Sequence, residues 1–221
     1  MLSEGQARRF DDSSADSNEI PVVSREELLS IENFNLLGLR MLRGSVRVSD
    51  RLSAADLRKN TEGRNWIDLI AEQREVELQQ PLPVSIDAPG RYREFSDLQQ
   101  SLAPGQRLNS HLLHFRPSNL EAVRGVIRFD QPIVAILCTA PHLYDSDALF
   151  GIPEVDYPGG QNLFRGLEPN GHSTALNAQA TDPNWEPDEL ILSQDQHTLS
   201  IRTFANTERG YDQIRILTLA E

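Results

Sequence analysis

One cysteine, Cys138, stands in the 221-residue chain. A lone thiol excludes an internal disulfide framework and any zinc site built on several thiolates. It lies in the apolar run "PIVAILC", where the expected role is that of a small buried hydrophobe. Lysine is as scarce: of 21 basic residues only Lys59 is one, and the basic residues form no compact cluster along the sequence. With a formal net charge of −12 such a chain collects phosphate backbones poorly, and nucleic acid is not an expected partner. Long hydrophobic runs are missing too. No stretch reaches the roughly 18 uninterrupted apolar residues of a spanning helix. The nearest, Leu28 to Leu42, is broken by Glu32, Asn33, Asn35 and Arg40, so no membrane span is expected. The opening "MLSEGQARRFDDSSADSNEIPVV" shows no apolar core of a secretory signal.

What is present divides the chain into three zones. Residues 1–23 are rich in Ser, Asp and Glu, bury too little to offset their ordering entropy, and are expected to form a disordered acidic tail. Residues 24–63 are expected to be helical or irregular. Ser24 and Glu27 fit a capping box, Val23 and Leu28 are spaced as a hydrophobic staple, and a short helix follows to about Glu32. The sequel "NFNLLGLRMLRGSVRVSD" is apolar without a clean period, and both strand and helix stay open for it. From residue 64 to 221 short apolar segments such as "RLNSHLLHF", "AVRGVIRF", "PIVAILC", "DELILS", "HTLSIRTF" and "DQIRILTLA" alternate with "DAPG", "LAPGQ", "YPGGQN" and "NTERG". The separators carry turn chemistry, and the pattern predicts an all-β fold, an antiparallel β-sandwich of jelly-roll-like form.

Alternation sharpens this. Val123, Gly125, Ile127 and Phe129 share one face of a strand, and Arg124, Val126 and Arg128 share the other; Leu199 and Ile201 likewise oppose Ser200 and Arg202. "PIVAILC" has no polar alternate and is expected as the central strand covered on both sides. In "NSHLLHF", His111 and His114 would share a helix face and an ion, but in a strand an offset of three sends them to opposite faces. The flanking turns favour the strand, with one histidine toward solvent and the other bonded near the core edge.

Candidate chemistry is sparse. "YDSDALFG" sets Asp145 and Asp147 in a D-x-D arrangement on an expected acidic loop with Glu154 and Asp156 beyond, hard oxygen ligands of the kind Ca²⁺ takes, though without the spacing of an EF-hand. His172 beside Ser173 lacks the frame of a nucleophile elbow. Glu168 is a candidate general acid or a partner of Arg165. Trp185, in the polar loop "TDPNWEPDE", together with Tyr144 and Tyr157 beside the acidic loop, is a candidate platform for stacking on a sugar. Trp66 is expected in the core.

The series "IAEQREVELQQPLPVSIDAPGRYREF", "LAPGQRLNSHLLHFRP", "GVIRFDQPIVAIL", "YDSDALFG", "FRGLE", "ELILSQDQHTLSIRT" and "YDQIRILT" resembles exported bacterial proteins of uncharacterised activity that often carry a PEP-type C-terminal sorting tail. The likeness runs from about Ile70 to Thr218, roughly two thirds of the chain. It implies an extracellular or envelope-associated β domain without an assigned catalytic centre. Arg116 stands where that pattern places an acid and Ala135 where glycine is usual, so no ligand residue is carried over; neither signal segment nor sorting tail is visible. The resulting expectation is a non-catalytic structural or binding module. A carbohydrate-binding module supported by Ca²⁺ is the first alternative, and a glycoside-type hydrolase using Glu168 the second.

Overall fold

Period-two alternation over short segments yields strands, and their apolar faces must meet. The structure, a computed structural model, describes residues 38–49, 65–95, 100–115, 122–153, 155, 157, 165–167, 187–204 and 212–221. The strands are β1 (Leu39–Gly44), β2 (Val46–Val48), β3 (Ile67–Ala71), β4 (Val76–Glu77), β5 (Leu82–Val84), β6 (Gly90–Tyr92), β7 (Gln100–Leu102), β8 (Arg107–Phe115), β9 (Val123–Phe129), β10 (Ile133–Leu137), β11 (Glu189–Leu192), β12 (Thr198–Thr203) and β13 (Asp212–Leu219). Helix α1 (Ala140–Phe150) follows β10. A five-stranded sheet has the order β1-β9-β12-β11-β6. A six-stranded sheet runs β10-β13-β8-β3-β2 with β4 also on β8, and β5 pairs with β7.

The expected all-β sandwich forms. Leu199, Ile201, Ile127 and Phe129 of the first sheet meet Leu69, Leu113, Phe115, Ile214 and Ile216 of the second in one core. Each such side chain contributes about 1.5–3 kcal/mol by leaving water. The far face of the six-stranded sheet is covered as well: Leu143 and Phe150 of α1 pack on Leu108 and Leu217, and Val155 and Tyr157 pack on Ile70 and Leu112.

Several expectations need correction. Residues 39–48, assigned to the helical or irregular segment, supply β1 and β2, so the β domain begins ahead of residue 64. Their period is unclean for a physical reason. β1 has a register shift between Leu39 and Met41, and the chain passes from one sheet to the other at Gly44–Ser45, so the inward residues fall at Leu39, Leu42 and Val46, a helix-like spacing. The corner is tight. Gly44 has φ +73°, and a Cβ on Gly125 would sit 2.1 Å from the Val46 Cγ2. The sandwich is also not purely antiparallel, because β2 runs parallel to β3. "PIVAILC" is buried on both faces, yet β10 ends the strand order, paired with β13 and bridged to Ile86 by Ile136. The two-sided spine is β8 with β13, in register from Leu108↔Leu219 to Phe115↔Asp212. Trp66 is half-buried beside β3, with the Arg47 guanidinium 4.0 Å from its ring centre.

His111 and His114 do lie on opposite faces of β8, but both are buried because each face of that strand has a cover. His111 points into the sandwich core, its ring centre 4.8 Å from that of Phe129, and its Nδ1 has no hydrogen-bond partner among the described residues. Burial, assisted by the charge of Arg74, pulls its pKa from 6.5 to about 3. Below pH 6.5 the unfolded chain takes up this proton while the folded chain refuses it until about pH 3, so acidification through that window favours unfolding. The expected cost is about 1.4 kcal/mol for each pH unit. Urea denaturation at pH 7, 5 and 4 should show this fall, and His111→Leu should flatten it; equal slopes for the two proteins would disprove the assignment.

Candidate functional site

Tyr144, Asp145 and Asp147 lie on α1 and Tyr157 lies beside it, and the positions of the first three follow from helix geometry. Pro141 opens the helix, where its fixed φ suits the first turn, and Gly151 follows its end. The stretch expected as an acidic loop is therefore helical. Residues two apart do not share a helix face, so Asp145 and Asp147 diverge. Asp145 is exposed, whereas Asp147 turns inward with Leu143, Ser146 and Phe150. Tyr144 is 52% exposed on the outer side, and Tyr157 is buried beneath.

Asp147 meets arginines there. Arg215, on the outer face of β13 and 0% exposed, donates from Nε to Glu72 Oε2 at 2.6 Å and from Nη2 to Glu72 Oε1 at 2.7 Å. Its remaining bonds go to Asp147 Oδ1 at 3.0 Å, the Ser146 hydroxyl at 2.5 Å and the Leu143 carbonyl at 3.1 Å. Arg165 binds the other side of Asp147 through both terminal nitrogens, and its Nε donates to Gln213. Glu72 accepts further bonds from the hydroxyls of Ser110 at 2.6 Å and Tyr157 at 2.8 Å. Gln213 reaches His114 at 3.2 Å, which accounts for the second buried histidine. Burial alone would pull the Arg215 pKa down, but the Glu72 charge and its hydrogen bonds, followed by Asp147, outweigh burial and raise it. Burial, then the Glu72 charge, raises Tyr157.

This network takes up Asp147, Tyr157, Arg165 and His114 among the sequence candidates. Tyr157 lies under the helix with its hydroxyl between Glu72 and the Ile152 N–H, so it offers no stacking face beside Tyr144. Asp147 is held by two guanidinium groups and Asp145 is on another face, so the two form no calcium pair; among the described residues no group of three His, Cys, Asp or Glu side chains is placed to hold a metal. Arg165 pairs with Asp147. Trp185, Glu154, Asp156, Glu168, His172 and Ser173 lie outside the described residues. Cys138 is buried, and burial pushes its thiol up to about 12 although a Ser85 hydrogen bond pulls the other way. A serine–histidine contact does occur: Ser85 Oγ lies 2.9 Å from His142 Nδ1 and accepts from the Cys138 N–H at 3.0 Å. Ser85 is fully buried, so no substrate reaches its hydroxyl, and the pair tethers the first turn of α1 to the segment after β5.

The other outer face of the sandwich is different. Cross-strand registers line up Arg43, Val126, Ser200, Ile191 and Arg91 in one row spanning β1, β9, β12, β11 and β6. The next row holds Arg124, Arg202 and Glu189. Glu189 is nearly buried and accepts from Arg91 at 2.6 and 3.0 Å and from Arg93 at 2.5 Å, with Arg202 at 3.9 Å. The Arg91 hydrogen bond leads in holding its carboxyl down at about 2, against the effect of burial. Between the rows lies a shallow cavity of about 360 Å³ whose lining includes the outward Val126, Ile191 and Ser200 and, around them, Arg43, Arg124 and Arg202. These arginines are scattered over the sequence, and only the strand order collects them. The readable signal was the outward alternation of Arg124, Val126, Ser200 and Arg202.

Comparison with known proteins returned no matching family model, no similar curated protein and no similar solved structure.

The buried network makes a sharp stability prediction. Arg215→Leu strips Glu72 of its cation and should cost about 3–5 kcal/mol in chemical denaturation. Adding Glu72→Leu removes the stranded carboxylate and should restore part of the loss. A double variant no more stable than the single one would mean that the ion pair does not organise this layer.

Proposed function

We propose that the protein is a non-catalytic binding module whose ligand surface is the open face of the five-stranded sheet. One observation carries this reading: among Arg43, Arg124, Arg202, Val126 and Ile191 charged and apolar groups converge on an accessible concavity. Its volume falls within the range of small-ligand pockets. The helix-covered face argues the other way, since its ionised groups are buried and bonded to one another. Sugar stacking gains no support on the open face, because no aromatic side chain among the described residues lines this cavity. The extracellular or envelope setting of this proposal rests on the sequence resemblance.

Ligand-observed NMR with a mixed library of small acids, amines, sugars and neutral apolar compounds tests it. Hits should vanish for Val126→Tyr, which fills the floor, and persist for Tyr144→Ala and Trp185→Ala. Ser200→Tyr serves as a second blocking variant, and the denaturation midpoint checks that each variant folds. No hits at all, or hits that survive both blocking variants, would overturn the assignment of this face.

A further inference from the structure

The Ser85–His142 contact restricts where protons can sit, and it lies on the helix side of the sandwich, independent of the open face. Ser85 follows β5 and is 0% exposed; its hydroxyl has one hydrogen to give and two lone pairs. Among the described residues that hydroxyl meets two groups: the Cys138 N–H donates to Oγ at 3.0 Å, and His142 Nδ1 lies 2.9 Å away. A hydroxyl hydrogen left unbonded in a dry site is unfavourable, so the Ser85 proton is given to Nδ1. Nδ1 must then carry its lone pair, and the neutral ring keeps its own proton on Nε2. A second proton on Nδ1 turns the contact around. Oγ then accepts from both the Nδ1–H and the Cys138 N–H, and the hydroxyl hydrogen loses its acceptor.

The place of His142 in the helix works in the same direction. Thr139 caps α1 without a side-chain hydrogen bond, and no acidic residue occupies the first turn. The start of the helix therefore depends on the Leu143 N–H to Thr139 carbonyl bond at 3.0 Å and on the tether to Ser85. A cation in the first turn opposes the helix dipole. Few groups face the ring. β5 and β10 carry no titratable side chain, and Cys138, directly after β10, is held neutral by burial. Arg215 of β13 uses its guanidinium on Glu72, Asp147, Ser146 and the Leu143 carbonyl. Asp145, one turn along α1, favours the proton, but burial outweighs it and holds the His142 pKa below 6.5. We infer that Ser85 and His142 form a proton-operated latch, in which a neutral imidazole holds the first turn of α1 to the segment after β5 and protonation of Nδ1 releases that turn from the sheet.

Histidine NMR and amide hydrogen exchange on the full chain test the latch. Long-range ¹H–¹⁵N spectra at pH 8 should show His142 with Nδ1 unprotonated and the proton on Nε2. As pH falls below 6.5 the open turn takes up a proton that the closed turn refuses, so opening is favoured down to the folded-state pKa and levels off beneath it. Protection of the Leu143 amide, corrected for the intrinsic pH dependence of exchange, should fall by up to about tenfold per pH unit in that window. His142→Gln puts a neutral amide in place of the imidazole. Leu143 protection should then stay flat with pH, while the amide of Leu113 on β8 still follows the global loss of stability assigned to His111. Ser85→Ala should lower Leu143 protection at every pH and bring the His142 midpoint up toward 6.5. A neutral His142 carrying its proton on Nδ1 would overturn the latch. So would Leu143 protection that is flat in the parent, a slope that survives His142→Gln, or a midpoint unmoved in folded Ser85→Ala. If Ser85→Ala does not fold, the tautomer and the His142→Gln comparison decide by themselves.

Discussion

Arg215 sits in the middle of a central strand with no access to water, and the cover over the six-stranded sheet is arranged around that fact. A buried guanidinium must find acceptors for its donors and opposite charge close by, or the fold loses several kcal/mol. Two places supply the answer: Glu72 directly after β3, and Asp147, Ser146 and the Leu143 carbonyl on α1. Asp147 then engages Arg165, and Glu72 engages Tyr157 and Ser110. The helix is thus positioned by directional bonds as well as by Leu143 and Phe150. Apolar packing alone would tolerate sliding of the helix across the sheet. A carboxylate shared by two guanidinium groups fixes its position.

The same arrangement separates the two outer faces of the sandwich by role. On the helix side the charged groups are used up internally, and Tyr157 closes over them within the cation–π range of both arginines, at 5.2 and 5.6 Å. On the open side no helix among the described residues covers the sheet, and rows of arginine, valine, serine and isoleucine lie across five strands. A fold in which one sheet face is sealed by ion pairs and the other left accessible has its surface for exchange with solvent chosen by the packing.

Much of this architecture was legible because alternation reports which residues leave the core. Leu199, Ile201, Ile127 and Phe129 were placed inward, Arg124, Val126 and Arg202 outward, and His111 and His114 on opposite faces, as observed. Alternation says nothing about what waits on the outward side. Arg215 and His114 point away from the sandwich core, yet they enter a second dry layer, because α1 and the segment after it lie above them. The helix itself was hidden by Asp145 and Asp147, whose residue types suggest a turn, although Pro141 and Gly151 bracketed it. β1 and β2 were obscured by a bulge and a change of sheet, two events that destroy a period of two within ten residues. Of the cavity only the outward alternation of Arg124, Val126, Ser200 and Arg202 was legible, since its lining comes from β1, β9, β11 and β12 and their neighbours are set by topology.

Arginine is used in opposite ways on the two faces, and electrostatics explains the difference. In the dry layer each guanidinium must be matched by carboxylate, because the low dielectric multiplies the cost of any imbalance. Arg215 and Arg165 are matched by Glu72 and Asp147, two against two. On the wet face water screens charge at small cost, so Arg91 and Arg93 share the single Glu189 carboxylate and Arg124 stands opposite Arg202 on β9 and β12, a crowding of cations that a dry layer could not hold.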